Sequence, residues 1–186
     1  AMGRGVYKST DDGSTWTLKN HGIVKNEPLS WRLARAKDGT LYVVIARRSE
    51  DGSIGTSRDG ALYKSTDGAE SWTPVKLPAE VNGPNGLAID PHDPNLVDVA
   101  AQGARPPGPG AAPAAPDDSA ERGVYRSTDA GATWRRVLPA DHTAVASDVY
   151  VDFQDPQVMY ALLGGSRGPG AAPSDASDAG VYRSAD

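Results

Sequence analysis

One short segment occurs four times in this chain, and this repeat constrains the fold more than any other feature. The copies are GVYKSTDDGSTW from Gly5, ALYKSTDGAESW from Ala61, GVYRSTDAGATW from Gly123 and the shorter GVYRSAD from Gly180. They recur about every 60 residues, which is long enough for several short strands and their loops. Such a period is typical of proteins built from stacked supersecondary units that bury their faces against one another.

Between the copies, short β-prone runs alternate with turn-forming residues. The first pair is LSWRLAR at 29–35 and TLYVVIAR at 40–47, joined by an Asp-Gly turn, which is a hairpin signature. The same plan recurs as GLAID with LVDVAA and as SDVYVDF with VMYALL. No useful length of sequence has the 3.6-residue periodicity of a helix. The chain is therefore predicted to be all-β.

Each repeat reads as strand A, a tight turn, strand B, a long loop, strand C, a second turn and strand D. Four-stranded antiparallel units repeated in this way are the blades of a β-propeller. The whole chain, 1–186, is then one propeller segment of about three blades. In this phase its parts are strands C and D at 5–22, blades at 29–78 and 84–139, and strands A, B and C at 145–186.

Composition excludes several classes of function. The formal net charge of −5 disfavours binding to nucleic acid or to anionic membranes. The absence of cysteine excludes disulfides, thiolate metal sites and a cysteine nucleophile. The longest apolar run, LYVVIA, is too short to cross a bilayer. The three histidines have no metal-ligand spacing, so we expect no metal and no cofactor.

The repeated segment resembles the Asp-box, or bacterial neuraminidase repeat, with the pattern S-x-D-x-G-x-T-W. Two copies match it in full, with Ser9, Asp11, Gly13, Thr15 and Trp16, and with Ser127, Asp129, Gly131, Thr133 and Trp134. A further copy has Ser65, Asp67, Ser71 and Trp72, but Ala69 stands where the pattern has glycine, and the last contributes Ser184 and Asp186. We call residues 9–16, 65–72 and 127–134 the box turns.

A structural role suits the residues of the box turns. Serine and aspartate side chains hydrogen-bond to nearby backbone where strand C turns into strand D. Glycine supplies a positive φ, and the closing tryptophan can cover the hairpin while its indole N–H reaches a carbonyl. The resemblance implies that such boxes lie on the face of the propeller away from the ligand. We therefore expect no catalytic aspartate among Asp11, Asp67 and Asp129.

Longer phrases, such as GLAIDPHDPNLVDVA and GVYRSTDAGATWRRV, resemble the blades of xyloglucanase-type glycosidases and sortilin-type receptors. True sialidases also carry an Arg-Ile-Pro segment, which is absent here. The resemblance implies a scaffold or a module that binds a glycan or a polypeptide. The alternative is part of a secreted glycoside hydrolase whose catalytic carboxylates lie partly outside this chain. Either implies an extracellular or periplasmic location in a bacterium.

The expected ligand face is the one that carries the B–C loops and the D-to-A connections. Candidate contacts there are Arg32 and Arg35 on the first A strand and Glu50, Asp51, Arg58 and Asp59 in the first B–C loop. A glycosidase needs two carboxylates a few ångströms apart. Asp90, Asp98, Asp148 and Asp152 lie on or beside inner strands, but the sequence does not pair them, and the catalytic residues stay unknown.

Closure is the main physical problem for a chain of this kind. Blades bury their faces only against neighbours, so about three blades cut from a ring leave two apolar faces open. Further blades or a second copy must cover them. For the chain expressed alone we expect a homo-oligomer, with a dimer of about six blades preferred, because closed symmetry avoids open-ended association.

Overall fold

The computed structural model describes residues 5–23, 29–46, 61–78, 81, 83–102, 122–140, 144–165 and 179–184. Within these ranges the chain forms thirteen strands and no helix. The prediction of an all-β chain is therefore confirmed. The same ranges contain no helix that is long and apolar enough to cross a membrane.

The strands form four antiparallel sheets in chain order. First comes a two-stranded sheet of β1 (Tyr7–Lys8) and β2 (Thr17–Leu18). Two four-stranded sheets follow: β3 (Leu29–Arg35), β4 (Leu41–Ala46), β5 (Ala61–Ser65) and β6 (Thr73–Val75), and then β7 (Pro84–Ile89), β8 (Val97–Ala101), β9 (Gly123–Ser127) and β10 (Arg135–Pro139). A three-stranded sheet comes last: β11 (Ala144–Val151), β12 (Met159–Gly165) and β13 (Gly180–Ser184).

Neighbouring sheets pack face to face through the repeated C strands β5 and β9. Leu62 packs with Leu87 and Val97 of the following sheet, whereas Tyr63 packs with Val6 of the preceding one. Successive residues of a strand point to opposite faces, so each C strand contributes to two cores. This stacking is the arrangement of propeller blades.

Strands β7 and β11 begin earlier than the sequence predicted. Both contain a bulge, at Asn85 and Ser147, and residues before each bulge continue to pair with the neighbouring strand. A bulge adds one residue to the strand and breaks the alternation of side chains. The alternation of side chains could therefore not be followed back across the bulge, and the predicted strands began at it or just after it.

Each box turn is held by its own side chains. In the first, the Gly13 amide donates to Ser9 Oγ at 2.8 Å, and the Thr15 amide and hydroxyl donate to the Asp11 carboxylate at 2.9 and 2.6 Å. The other two turns repeat this pattern. The hydrogen bonds from Thr15 lower the pKa of Asp11 to about 2. In Asp11, Asp67 and Asp129, both carboxylate oxygens accept hydrogen bonds from within the turn.

The box turn at 65–72 keeps this conformation without the usual glycine. Ala69 adopts φ 72°, compared with 90° for Gly131 at the equivalent place. The Ala69 methyl group is buried in the core shared with the preceding sheet. A Cβ on Gly131 would lie 2.7 Å from Val75 Cγ1. Space therefore requires glycine in the third box turn, whereas the second has room for alanine.

The closing tryptophans connect neighbouring sheets. Trp72 Nε1 donates to the Lys19 carbonyl at 2.9 Å, and Trp134 Nε1 donates to the Lys76 carbonyl at 3.2 Å. Both carbonyls lie just after the last strand of the preceding sheet. In addition to closing its own hairpin, the box turn thus fixes one blade against the next.

Candidate functional site

The inner strands β3, β7 and β11 bulge at equivalent positions. The ladder register shifts between Ser30 and Arg32, and again at Asn85 and at Ser147. All three bulges lie in the first half of their strand, on the side of the sheet away from the box turns. Bulges often re-aim side chains beside functional sites. We call Trp31, Arg32, Asn85, Gly86, Ser147 and Asp148 the bulge cluster.

An ion pair spans the bulge cluster. Arg32 Nη2 lies 2.6 Å from Asp148 Oδ2, which joins β3 to β11 although the β7–β10 sheet lies between them in sequence. The Arg32 side chain is 39% exposed and that of Asp148 is 10% exposed. Tyr150 donates its hydroxyl to the same Oδ2 at 3.1 Å. The carboxylate is thus held by two hydrogen-bond donors, while the Arg32 side chain stays partly exposed.

Trp31 gives the cluster an apolar surface. The Arg32 guanidinium carbon lies 5.6 Å from the centre of the Trp31 ring, within the range of a cation–π contact. The tryptophan is 40% exposed. An open aromatic ring beside charged hydrogen-bonding groups suits a ligand that has both apolar faces and hydroxyl groups.

Strand β7 lies between β3 and β11, and it must carry a small residue next to Asp148 for this ion pair to form. A Cβ on Gly86 would lie 2.7 Å from the Asp148 Cα and 2.9 Å from its Oδ1. Beside it, Asn85 Nδ2 donates to the Ser147 carbonyl at 2.6 Å and ties β7 to β11. Glycine at this position therefore allows the backbones to approach closely enough for Arg32 to reach across.

The structure separates the two arginines that the sequence placed together as candidates. Arg32 belongs to the bulge cluster. Arg35 lies opposite Leu41 in the ladder, on the other face of the sheet from Arg32 and Ala34. Glu50, Asp51, Arg58, Asp59 and Asp186 lie outside the described residues, and Ser184 ends β13.

The other carboxylates named from the sequence have structural partners. Asp90 accepts the amides of His92 and Asp93, and Asp152 accepts those of Gln154 and Asp155, as in Asx turns. Asp98 is buried between sheets and pairs with Arg126 at 3.0 Å. No second carboxylate is among the described polar partners of Asp148. The described residues also contain no group of acidic or histidine side chains that could hold a metal ion.

Sequence reasoning missed Trp31 and Gly86 of the bulge cluster, and Tyr150, which donates to Asp148. Trp31 and Tyr150 look ordinary in their strands, because aromatic residues are common at half-buried β positions. Gly86 did carry a signal, since a glycine within a strand often marks a bulge or the close approach of another backbone. Aligning the three A strands would have shown which residues are equivalent, but that alignment depends on the bulges.

No known family model matches this chain. A xyloglucanase of Paenibacillus sp is 26% identical over 152 residues, covering 73% of this chain and 12% of that enzyme. Xyloglucanase Xgh74A of Acetivibrio thermocellus is 25% identical over 146 residues, covering 71% of this chain and 14% of that enzyme. The chain thus spans only a small part of the curated relatives that it matches.

Solved structures show the same fold. A GH74 enzyme of Niastella koreensis superposes with a TM-score of 0.59 and 21% identity, covering 97% of this chain and 25% of that one. An ancestral GH74 enzyme superposes with a TM-score of 0.56 and is 22% identical, covering 100% of this chain and 20% of that one. The chain therefore has the fold of β-propeller blades, and it is similar in sequence to xyloglucanases and in fold to GH74 enzymes.

Proposed function

We propose that this chain is a glycan-binding part of a β-propeller scaffold, and that the bulge cluster is its binding surface. The observation that carries the proposal is the exposed Trp31 ring held beside the Arg32–Asp148 ion pair. A sugar ring can lie on the indole while its hydroxyl groups bond to the guanidinium and the carboxylate. The similarity to xyloglucanases favours a β-glucan such as xyloglucan as the probe.

Trp31→Ala should weaken binding of xyloglucan oligosaccharides at least tenfold, because it removes the stacking surface. Isothermal titration calorimetry measures the change. The fold should persist, since Trp31 is already substantially exposed. Phe153→Ala is the matched control, because Phe153 is 78% exposed and lies in the β11–β12 turn at the opposite end of the sheet. Equal affinity of the two variants, or binding of neither the wild type nor the variants, would overturn the proposal.

A second candidate function is glycoside hydrolysis, favoured by the sequence similarity to xyloglucanases. In that case Asp148 supplies one of the two carboxylates and the other lies outside the described residues. Release of reducing sugar from xyloglucan or sialosides, abolished by Asp148→Asn, is the expected result for a hydrolase. Binding without release favours the scaffold, and a polypeptide ligand would be found by titration with peptides when glycans fail.

We further propose that the box turns are Asp-boxes in the sense of the neuraminidase repeat. Their internal hydrogen bonds support this assignment. By the same resemblance we propose an extracellular or periplasmic location. Detection of the protein in culture medium or periplasmic extract of its bacterium, and not in cytoplasm, tests the location.

A further inference from the structure

The bulged residues of the three inner strands differ in how far they are buried. Trp31 is 40% exposed and belongs to the proposed binding surface, whereas Asn85 is buried in β7, which packs against both β3 and β11. A buried side-chain amide costs free energy unless it is hydrogen-bonded. The bond that Asn85 makes therefore explains why an amide stands at this position.

The side chain of Asn85 bonds to the backbone of the next bulge. Its Nδ2 donates to the Ser147 carbonyl at 2.6 Å. Ser147 is skipped in the register of β11 with β12, between Ala146 and Asp148. A residue added by a bulge does not take part in the ladder, so its polar groups need other partners. The Asn85 amide is such a partner for the Ser147 carbonyl.

The carbonyl that accepts this bond belongs to the peptide unit that leads directly into Asp148. The Ser147 hydroxyl donates to the Leu162 carbonyl at 3.0 Å, which ties the same residue to β12. The Val149 amide donates to Asp148 Oδ1 at 3.1 Å, which ties the carboxylate to the backbone that follows it. A displacement of the bulge would therefore displace the carboxylate as well.

Asp148 transmits this constraint to the exposed residues of the bulge cluster. Its Oδ2 accepts a hydrogen bond from Arg32 Nη2 at 2.6 Å, and the guanidinium carbon lies 5.6 Å from the centre of the Trp31 ring. Hydrogen bonds between charged groups are short and directional, so a small displacement of the carboxylate weakens the bond to Arg32. The positions of Arg32 and Trp31 thus depend on where one buried carboxylate lies.

We propose that Asn85 is a positioning residue of the bulge cluster. It acts through the Ser147 carbonyl on Asp148, and through Asp148 on Arg32 and Trp31. Asn85 is only 8% exposed, so this role needs no contact with the ligand. The effect of Asn85 on glycan affinity rests on the proposed function, whereas its effect on the geometry of the cluster exists without a ligand.

Two substitutions of Asn85 separate its hydrogen bond from its volume. Asn85→Asp keeps the shape of the side chain, but a carboxylate cannot donate to the Ser147 carbonyl, whereas the neutral acid has an O–H group that can. Burial and the neighbouring Asp148 carboxylate both favour the neutral form of the introduced acid. Asn85→Leu has a similar volume and no donor at any pH.

Affinity for xyloglucan oligosaccharides, measured by calorimetry, should fall about tenfold at pH 7.5 in both variants, because a buried carbonyl loses its partner. At pH 5 the affinity should recover toward that of the wild type in Asn85→Asp alone. Asn85→Asp is prepared at pH 5, where its bond forms, so a folded test protein exists even where Asn85→Leu does not fold.

The wild type is measured at the same two pH values to correct for other groups that titrate. On the strands packed against β7, the charged or titratable residues near Asn85 are Arg32 of β3 and Asp148 and Tyr150 of β11. The remaining charged or titratable residues of these strands lie toward the box turns: Arg35, Tyr42 and Asp98.

Asn95→Asp is the matched control for the loss of an amide and the gain of a carboxyl group. Asn95 Nδ2 donates to Asp93 Oδ1 at 2.9 Å, but it lies in the β7–β8 turn, on the side of the sheet that carries the box turns. The ratio of its affinity to that of the wild type should be close to one at both pH values.

The indole N–H resonance of Trp31 reports the geometry of the cluster without a ligand. In 15N-labelled protein at pH 7.5 it should shift in both Asn85 variants, return at pH 5 in Asn85→Asp alone, and stay in place in Asn95→Asp. An unchanged resonance in the Asn85 variants, or a loss in Asn85→Asp that does not recover at pH 5, would overturn the positioning role. If the wild type binds no glycan while the resonance behaves as expected, the proposed function fails and the positioning role stands.

Discussion

Replacing Arg126 with methionine is expected to destabilise the fold by about 3 kcal/mol, because it leaves a buried carboxylate without its partner. Asp98 has no exposed surface and lies between the last two described sheets, where Arg126 Nε binds it at 3.0 Å. The methionine fills much of the same volume, so packing changes little. The midpoint of urea unfolding, followed by tryptophan fluorescence, measures the loss.

The loss of stability in Arg126→Met should depend on pH in a defined direction. Burial raises the pKa of Asp98, with Arg126 acting against the shift. Removing Arg126 raises the folded-state pKa further above the unfolded value. A carboxyl group whose pKa is higher in the folded than in the unfolded protein favours folding at a pH below its unfolded-state pKa. This contribution is lost as the pH rises through the folded-state pKa. The deficit of the variant should therefore shrink as pH falls from 7 toward 4.

Two further variants separate the ion pair from a general effect of lost charge. Arg135→Met, on the exposed strand β10 opposite Arg126, should change stability by less than about 0.5 kcal/mol. Arg126→Met combined with Asp98→Leu should recover most of the loss, since a well-packed apolar pair can replace a buried ion pair. A double variant as unstable as Arg126→Met would show that the two side chains are not coupled.

Gly86→Ala is expected to cost about 2–3 kcal/mol, the usual scale for adding a methyl group where no space exists. Its Cβ would lie 2.7 Å from the Asp148 Cα, so backbone and not a flexible side chain must move. The displacement separates Asp148 from Arg32, and glycan affinity should fall together with the melting temperature. Differential scanning calorimetry and titration with xyloglucan oligosaccharides measure the two effects.

Gly164→Ala is the control for this prediction. Gly164 also lies within a strand, β12, but its added Cβ would only come into ordinary contact with Val145 Cγ2 at 3.9 Å. Stability should change by less than about 0.5 kcal/mol, and glycan binding should be unchanged. If Gly86→Ala were as stable as Gly164→Ala, the inner strands would have room that the structure does not show.

The fold could be predicted because its signals are local. The Asp-Gly turn at 38–39, the alternation in β4 and the repeated Ser-x-Asp turn each act over a few residues, and their recurrence shows that the units stack. The candidate site could not be predicted in the same way. Arg32 was a candidate, but its partner Asp148 lies more than a hundred residues away in sequence.

By itself the sequence determined the all-β class and the four-stranded antiparallel blade with its turns, since these depend on hydrogen bonds between near neighbours. Only the tertiary structure decided what the inner strands bring together. Three bulges shift the strands by one residue, and Gly86 lets β11 approach β7 so that Asp148 meets Arg32. A one-residue shift changes the face on which a side chain lies, and the spacing between sheets depends on the packing of whole blades.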